Sequence, residues 1–123
     1  SIKSKIHTFK FKKIIFLCHN PHCGENMTIG LEDNNISKLI SKYKMLSGPL
    51  PADSAFNNVK KDTLFISTYH DQALIPFKIL NKKGINLTLG LNFRRISPSH
   101  GTAKDKKFKN IADNSSYIEC MLI

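Results

Sequence analysis

Two short apolar runs, each followed by a polar turn-rich stretch and then by a helical repeat, constrain this chain most. Ile14-Ile15-Phe16-Leu17-Cys18 contains no polar residue, and Leu64-Phe65-Ile66 is the second run. A continuous apolar run of this length suits a strand buried on both faces, as in a parallel sheet, because a strand with one wet face alternates. The first run leads into His19-Asn20-Pro21-His22-Cys23-Gly24-Glu25-Asn26, a loop by its proline and glycine. A helix is expected over residues 32–44, where Ile36, Leu39, Ile40 and Tyr43 fall at i, i+3, i+4 and i+7 and form one apolar stripe. The second run leads into Tyr69-His70-Asp71-Gln72 and a helical pattern over 71–80, which Pro76 should start or disturb. Strand, loop and helix in repeated order predict an α/β fold with a largely parallel sheet and flanking helices.

The other segments are weaker signals. Residues 1–13 read as the tail of a helix. Residues 47–53 carry two prolines and a glycine and read as a stiff loop, with a short helix from 52 to about 58. Strands are expected at 63–67, 84–91 and 93–96, a loop at 97–102, a lysine-rich helix at 103–110, and the first turns of another helix at 115–123. With 123 residues, 41% of them hydrophobic, and no internal repeat, the chain is expected to form a single α/β segment.

Charge and cysteine content narrow the partners. The formal net charge is +10, but the lysines are scattered, Arg94 and Arg95 are the only arginines, and no aromatic residues interleave with the basic ones in the manner of an RNA-binding module. Nucleic acid is therefore not expected as the principal partner. No apolar run approaches the roughly 18 residues of a membrane span, and no signal-type segment opens the chain. A soluble, cytoplasmic protein without a membrane partner is expected. Three cysteines, Cys18, Cys23 and Cys120, suit a reduced compartment better than a disulfide framework. Cys18-His19-x-x-His22-Cys23 has the residue types of a zinc site, but structural zinc sites use two separated ligand pairs. Cys18 is expected to end a buried strand and Cys23 to sit in a loop.

Open α/β sheets bind ligands beyond the carboxyl ends of their strands. The polar residues in such positions are His22 and Glu25, Asp53, His70 and Asp71, Lys78, Asn86, Arg95 and His100. Histidines on separate loops can share a divalent metal through neutral imidazole. Lys78 and Arg95 suit an anionic group such as phosphate, which Asn86 can hydrogen-bond. Asp53, after Pro-Ala, also suits a helix N-cap.

Five blocks in order carry a resemblance: Asn20-Pro21-His22-Cys23-Gly24-Glu25, Ser47-Gly48-Pro49-Leu50-Pro51-Ala52-Asp53, Tyr69-His70-Asp71-Gln72, Ile85-Asn86-Leu87-Thr88-Leu89-Gly90-Leu91, and Arg95-Ile96-Ser97-Pro98-Ser99-His100-Gly101-Thr102-Ala103. Together they resemble the C-terminal part of the 4-hydroxythreonine-4-phosphate dehydrogenase family of pyridoxal phosphate biosynthesis. The resemblance implies a fold akin to the isocitrate and isopropylmalate dehydrogenases and a homodimer with the active site at the subunit interface. It implies NAD and a divalent metal (zinc, magnesium or cobalt) as cofactors, and a small phosphorylated amino acid as substrate. His22 and His70 match two of three metal-binding histidines; Lys78, Asn86 and Arg95 match substrate-binding residues; Asp53 matches a position near the metal; His100 matches the surroundings of the nucleotide; Asp71 is a further site candidate.

Three positions depart from the family pattern: Cys23 replaces a usual alanine, Ala73 a usual glycine and Ser99 a common aspartate. The third metal histidine and a substrate-contacting His-Thr pair are expected upstream of Ser1, so the 123-residue chain alone is expected to turn over little. Two other readings compete: an inactive remnant that keeps metal or phosphate binding, and a small basic nucleic-acid-binding protein.

Overall fold

The computed structural model describes residues 11–81 and 83–123, so most of the expected N-terminal helix tail lies outside the described residues. These residues form two compact units, one over residues 11–76 and one over 77–123.

The first unit is built on β1 (Lys13–Leu17), the middle strand of a three-stranded parallel sheet of order β2-β1-β3. Its apolar run is buried on both faces: Ile14, Ile15 and Leu17 are buried, and so is Cys18 just beyond it. Each such aliphatic side chain contributes about 2 kcal/mol of transfer free energy. β3 (Thr63–Ile66) pairs with β1 in the register Ile14↔Leu64 through Phe16↔Ile66. Helix α1 (Glu32–Ile40) lies between β1 and β2 in the chain, the short α2 (Ala52–Ala55) follows β2, and α3 (His70–Leu80) follows β3.

Two expectations in this unit are corrected. Residues 47–50 of the loop expected at 47–53 form, with Leu46, strand β2 (Leu46–Leu50). Pro49 has no N–H to give a ladder, and β2 is an edge strand of the sheet, where that loss is tolerated. Gly48 has φ +114°, and a Cβ there would collide with the Phe16 carbonyl oxygen, so glycine lets β2 close on β1. Helix α1 stops at Ile40, short of the expected 44, and its stripe is only partly covered: Ile36 and Ile40 are half-buried, whereas Leu39 and Tyr43 are exposed. The buried side chain of α1 is instead Asp33, at 4% exposure.

The second unit contains an antiparallel hairpin of β4 (Ile85–Thr88) and β5 (Arg95–Pro98), with α4 (Ser115–Met121) packed on both strands. The sheet expected at 84–91 and 93–96 is thus shorter and antiparallel, and β5 takes in Ser97 and Pro98 from the expected loop. Gly84 is buried against the Phe77 ring, which a Cβ would strike. At the start of α4, Asp113 Oδ1 accepts the Ser115 N–H at 2.9 Å, and its hydrogen bonds to Ser115 hold the Asp113 carboxyl below the ordinary aspartate range. The expected helix at 103–110 is not formed beyond a single 3-10 turn, Lys104–Lys106. Four lysines in that stretch repel one another, it has no apolar stripe to bury, and Phe108 stands 94% exposed. Ala103, Phe108 and Asn110 also take left-handed backbone angles, which no right-handed helix contains.

Candidate functional site

In the first unit, the carboxyl ends of the parallel strands surround a cavity of about 520 Å³ lined by Cys18, His19, His22, Asp53, Tyr69 and Gln72 among others. His22 lies in a 3-10 turn, Pro21–Gly24, that leaves β1. Residues 22–27 all take positive φ, from His22 at 50° through Glu25 at 42° to Met27 at 73°. Left-handed backbone costs a non-glycine residue about 1 kcal/mol, so the run needs holding from outside. The holding comes from the first turn of α1. Asp33 Oδ1 accepts the His19 N–H at 2.6 Å and Asp33 Oδ2 the Asn20 N–H at 2.9 Å, while Glu32 Oε2 accepts Asn20 Nδ2 at 2.8 Å. The hydrogen bond from Asn20 is also the first cause holding the Glu32 carboxyl below the ordinary glutamate range.

The left-handed turn brings Glu25 back onto His22, with 2.7 Å between Nδ1 and Oε1. When Nδ1–H donates to Glu25, Nε2 keeps its lone pair, the tautomer of a metal-ligating histidine whose ring is oriented by a carboxylate. The Glu25 hydrogen bond, then its charge, raises the His22 pKa above 6.5, with the Asp53 carboxylate adding a smaller push. A raised folded-state pKa stabilises the fold fully below the unfolded value, and that stabilisation is lost as pH rises through the folded value. Glu25→Gln is expected to bring the His22 titration, followed by NMR of the imidazole, back toward 6.5. An unmoved titration would mean that the pair is not formed in solution.

The neighbouring Cys23 thiol donates to the Pro49 carbonyl at 3.4 Å, and burial, with Cys18 beside it, pushes its pKa up to about 12. It is therefore a protonated packing group at neutral pH. From the end of β3, Tyr69 and Gln72 join the cavity: Tyr69 Oη lies 2.9 Å from His19 Nε2, and Gln72 Nε2 donates to the Cys18 carbonyl at 2.8 Å. His70 and Asp71 are exposed in the first turn of α3 and are not part of the cavity lining. Ala73 adopts ordinary helical backbone within α3, so the missing glycine brings no strain there. Among the described residues, no three His, Cys, Asp or Glu side chains cluster closely enough to hold a metal ion. The unit thus joins His22 with Asp53 and adds His19, Tyr69 and Gln72, which lie in the quoted motifs but were not among the candidate site residues, and Asp33, which no motif contains.

In the second unit, pairing in the hairpin sets Asn86 opposite Ser97 and Thr88 opposite Arg95. Directly paired residues share a face, as do i and i+2, so Asn86 and Arg95 project from the same side of the hairpin. Arg95 Nη1 donates to Thr88 Oγ1 at 2.9 Å, which orients the guanidinium. Lys78, in the last turn of α3, donates from Nζ to the Ser99 carbonyl at 2.8 Å, just past β5. Asn86 and Arg95 thus share a hairpin face, while Lys78 is tied from α3 to the backbone just past β5; each is a donor of the type that binds anions. His100 is exposed beyond it, its Nδ1 2.9 Å from the Gly101 carbonyl.

Known proteins of similar sequence and fold were compared with this chain. Residues 2–123 match the family model described as pyridoxal phosphate biosynthetic protein PdxA. The chain is 48% identical over 101 residues to a 4-hydroxythreonine-4-phosphate dehydrogenase of Hydrogenobaculum sp. (strain Y04AAS1), covering 80% of this chain and 33% of that protein. It is 45% identical over 117 residues to the protein of the same name from Sulfurihydrogenibium sp. (strain YO3AOP1), covering 89% and 36%. The crystal structure of 4-hydroxythreonine-4-phosphate dehydrogenase from Klebsiella pneumoniae superposes with a TM-score of 0.72 at 29% identity, covering 98% of this chain and 40% of that one. The chain therefore spans about a third of the length of these curated relatives. The α/β architecture, the ordered motifs and the match along nearly the whole sequence place the chain in the pyridoxal phosphate biosynthetic protein PdxA family.

Proposed function

We propose that this chain is the metal- and substrate-binding segment of an NAD-dependent dehydrogenase that oxidises and decarboxylates 4-phosphohydroxythreonine to 3-amino-2-oxopropyl phosphate. The observation that carries the reading is the placement of Asn86 and Arg95 on one face of the hairpin, with Lys78 tied from α3 to the backbone just past β5. Three donors of that type fit a phosphate monoester, with Arg95 supplying a planar fork and Lys78 a point charge. In the other unit, His22 fits a divalent metal in its donor chemistry, because Glu25 takes Nδ1 and leaves Nε2. His70 is its proposed companion ligand, with Asp53 near the metal, His100 toward the nucleotide and Asp71 a further site candidate.

A bound divalent cation supplies Lewis-acid polarisation of an alcohol oxygen and stabilisation of the product carbonyl. NAD supplies the hydride acceptor. The residues of this chain bind and orient: Lys78, Asn86 and Arg95 hold the phosphate, and Glu25 keeps His22 in the ligating tautomer. The oxidised 3-oxo acid then loses carbon dioxide. A homodimer with its active site at the subunit interface goes with this reading. Free thiols at Cys18, Cys23 and Cys120 suit a cytoplasmic setting.

The test is NADH formation from 4-phosphohydroxythreonine by the protein expressed from its full gene, with and without added divalent metal. Metal-dependent NADH formation that His22→Ala lowers by at least about 100-fold is expected. No NADH with any of zinc, magnesium or cobalt would sink the dehydrogenase reading, and metal binding that persists without turnover would favour a binding remnant.

A further inference from the structure

The cavity contains a hydrogen-bonded pair that the reaction described above does not use. Tyr69 Oη and His19 Nε2 are 2.9 Å apart, and the two rings lie 5.0 Å apart, tilted by 38°. Both line the cavity that holds His22 and Asp53. Tyr69 is 49% exposed, and a phenol with that much freedom samples several rotamers unless it is tied down. Here it is tied at its hydroxyl and at its ring. His19 is itself tied, because its backbone N–H ends on the buried Asp33 carboxylate. The pairing also follows from the sheet. β1 and β3 are in register at Phe16↔Ile66, and three residues beyond each lie His19 and Tyr69.

A tyrosine hydroxyl has one proton and two lone pairs. Whichever tautomer His19 adopts, at least one lone pair of Tyr69 Oη remains to accept. The same cavity holds the Asp53 carboxylate. An acceptor beside a carboxylate repels phosphate and carboxylate groups and attracts a cationic donor. Resting on the dehydrogenase reading, we propose that His19 is a positioning residue: its Nε2 fixes the Tyr69 hydroxyl as an oriented acceptor that, together with Asp53, receives the ammonium group of the phosphorylated amino alcohol.

The test uses isothermal titration calorimetry on the protein expressed from its full gene, with 4-phosphohydroxythreonine and its analogue lacking the amine, 3-hydroxy-4-phosphooxybutanoate. The wild-type protein is expected to prefer the amino compound by about tenfold, the worth of a hydrogen bond to a charged group. His19→Leu and Tyr69→Phe are each expected to bring that ratio close to one, and His19→Gln, which can still bond the phenol, to keep most of it. Tyr69→Phe retains the ring contact that His19→Leu loses, and so separates loss of the hydroxyl from loss of packing; both variants keep the His19 backbone bond to Asp33. A wild-type protein that binds neither compound overturns the dehydrogenase reading and the ammonium contact with it. A wild-type protein that binds the amino compound, with a preference that is absent or unmoved in His19→Leu and Tyr69→Phe, overturns the positioning role alone.

Discussion

Asp33→Ala is expected to destabilise the first unit by about 3 kcal/mol. Asp33 is 4% exposed and holds two backbone N–H groups, those of His19 and Asn20, on its two carboxylate oxygens. Deleting the carboxylate strands both donors where water reaches them poorly, at about 1–3 kcal/mol each. It also releases the left-handed turn that carries His22, in which five non-glycine residues, His22, Cys23, Glu25, Asn26 and Met27, take positive φ. For a chain of this size the loss corresponds to roughly 10 °C in melting temperature. Asp33→Asn should fall between the two, since its amide keeps one acceptor and turns a donor toward the other N–H. Thermal unfolding followed by circular dichroism measures both. An alanine variant that melts within about a degree of wild type would show that α1 does not anchor the turn.

Under the proposed dehydrogenase function, Arg95→Ala in the protein expressed from its full gene is expected to raise KM for 4-phosphohydroxythreonine by about 100-fold, with a much smaller change in kcat. The loss is that of a charge-assisted, two-pronged contact to phosphate, worth about 3 kcal/mol in uniform binding of ground state and transition state. The guanidinium is already oriented by its hydrogen bond to Thr88, so little ordering is needed when the anion arrives. Arg95→Lys should recover part of the affinity, because it restores the charge without the fork. Steady-state kinetics at varied substrate separates these outcomes. A KM unchanged in the alanine variant would remove Arg95 from the phosphate site.

Much of this arrangement was legible in the chain itself. The unbroken run Ile14–Cys18 announced a strand buried on both faces, and the central strand of a parallel sheet is such a strand. Lys78 and Arg95 were readable by residue type as candidates for an anion, with Asn86 to hydrogen-bond it; the hairpin register alone sets Asn86 and Arg95 on one face. Other features were hidden for identifiable reasons. Residues 46–50 carried loop chemistry, with glycine and proline, and became a strand because an edge position forgives Pro49 and a close approach requires Gly48. The stretch 103–110 had helix-forming lysines, but propensity without an apolar face did not overcome repulsion among like charges. Asp33 sat inside an apparently ordinary amphipathic helix, and no local pattern marks an aspartate whose partners lie 13 and 14 positions earlier.

The sequence by itself determined the fold class and the family, because both rest on local information: the length and polarity of apolar runs, and short motifs in fixed order. It also named His22, Asp53, Asn86 and Arg95 as candidates, because their residue types limit the chemistry they can perform. Only the tertiary structure decided that His22 turns its Nδ1 to Glu25, and that Asp33 holds the turn from a neighbouring helix. It alone set Tyr69 against His19, 50 positions apart. For this last pair the reason is strand register. Contacts across a parallel sheet depend on how far one strand slides along another, and that offset is fixed by packing of the whole unit, which no window along the chain contains.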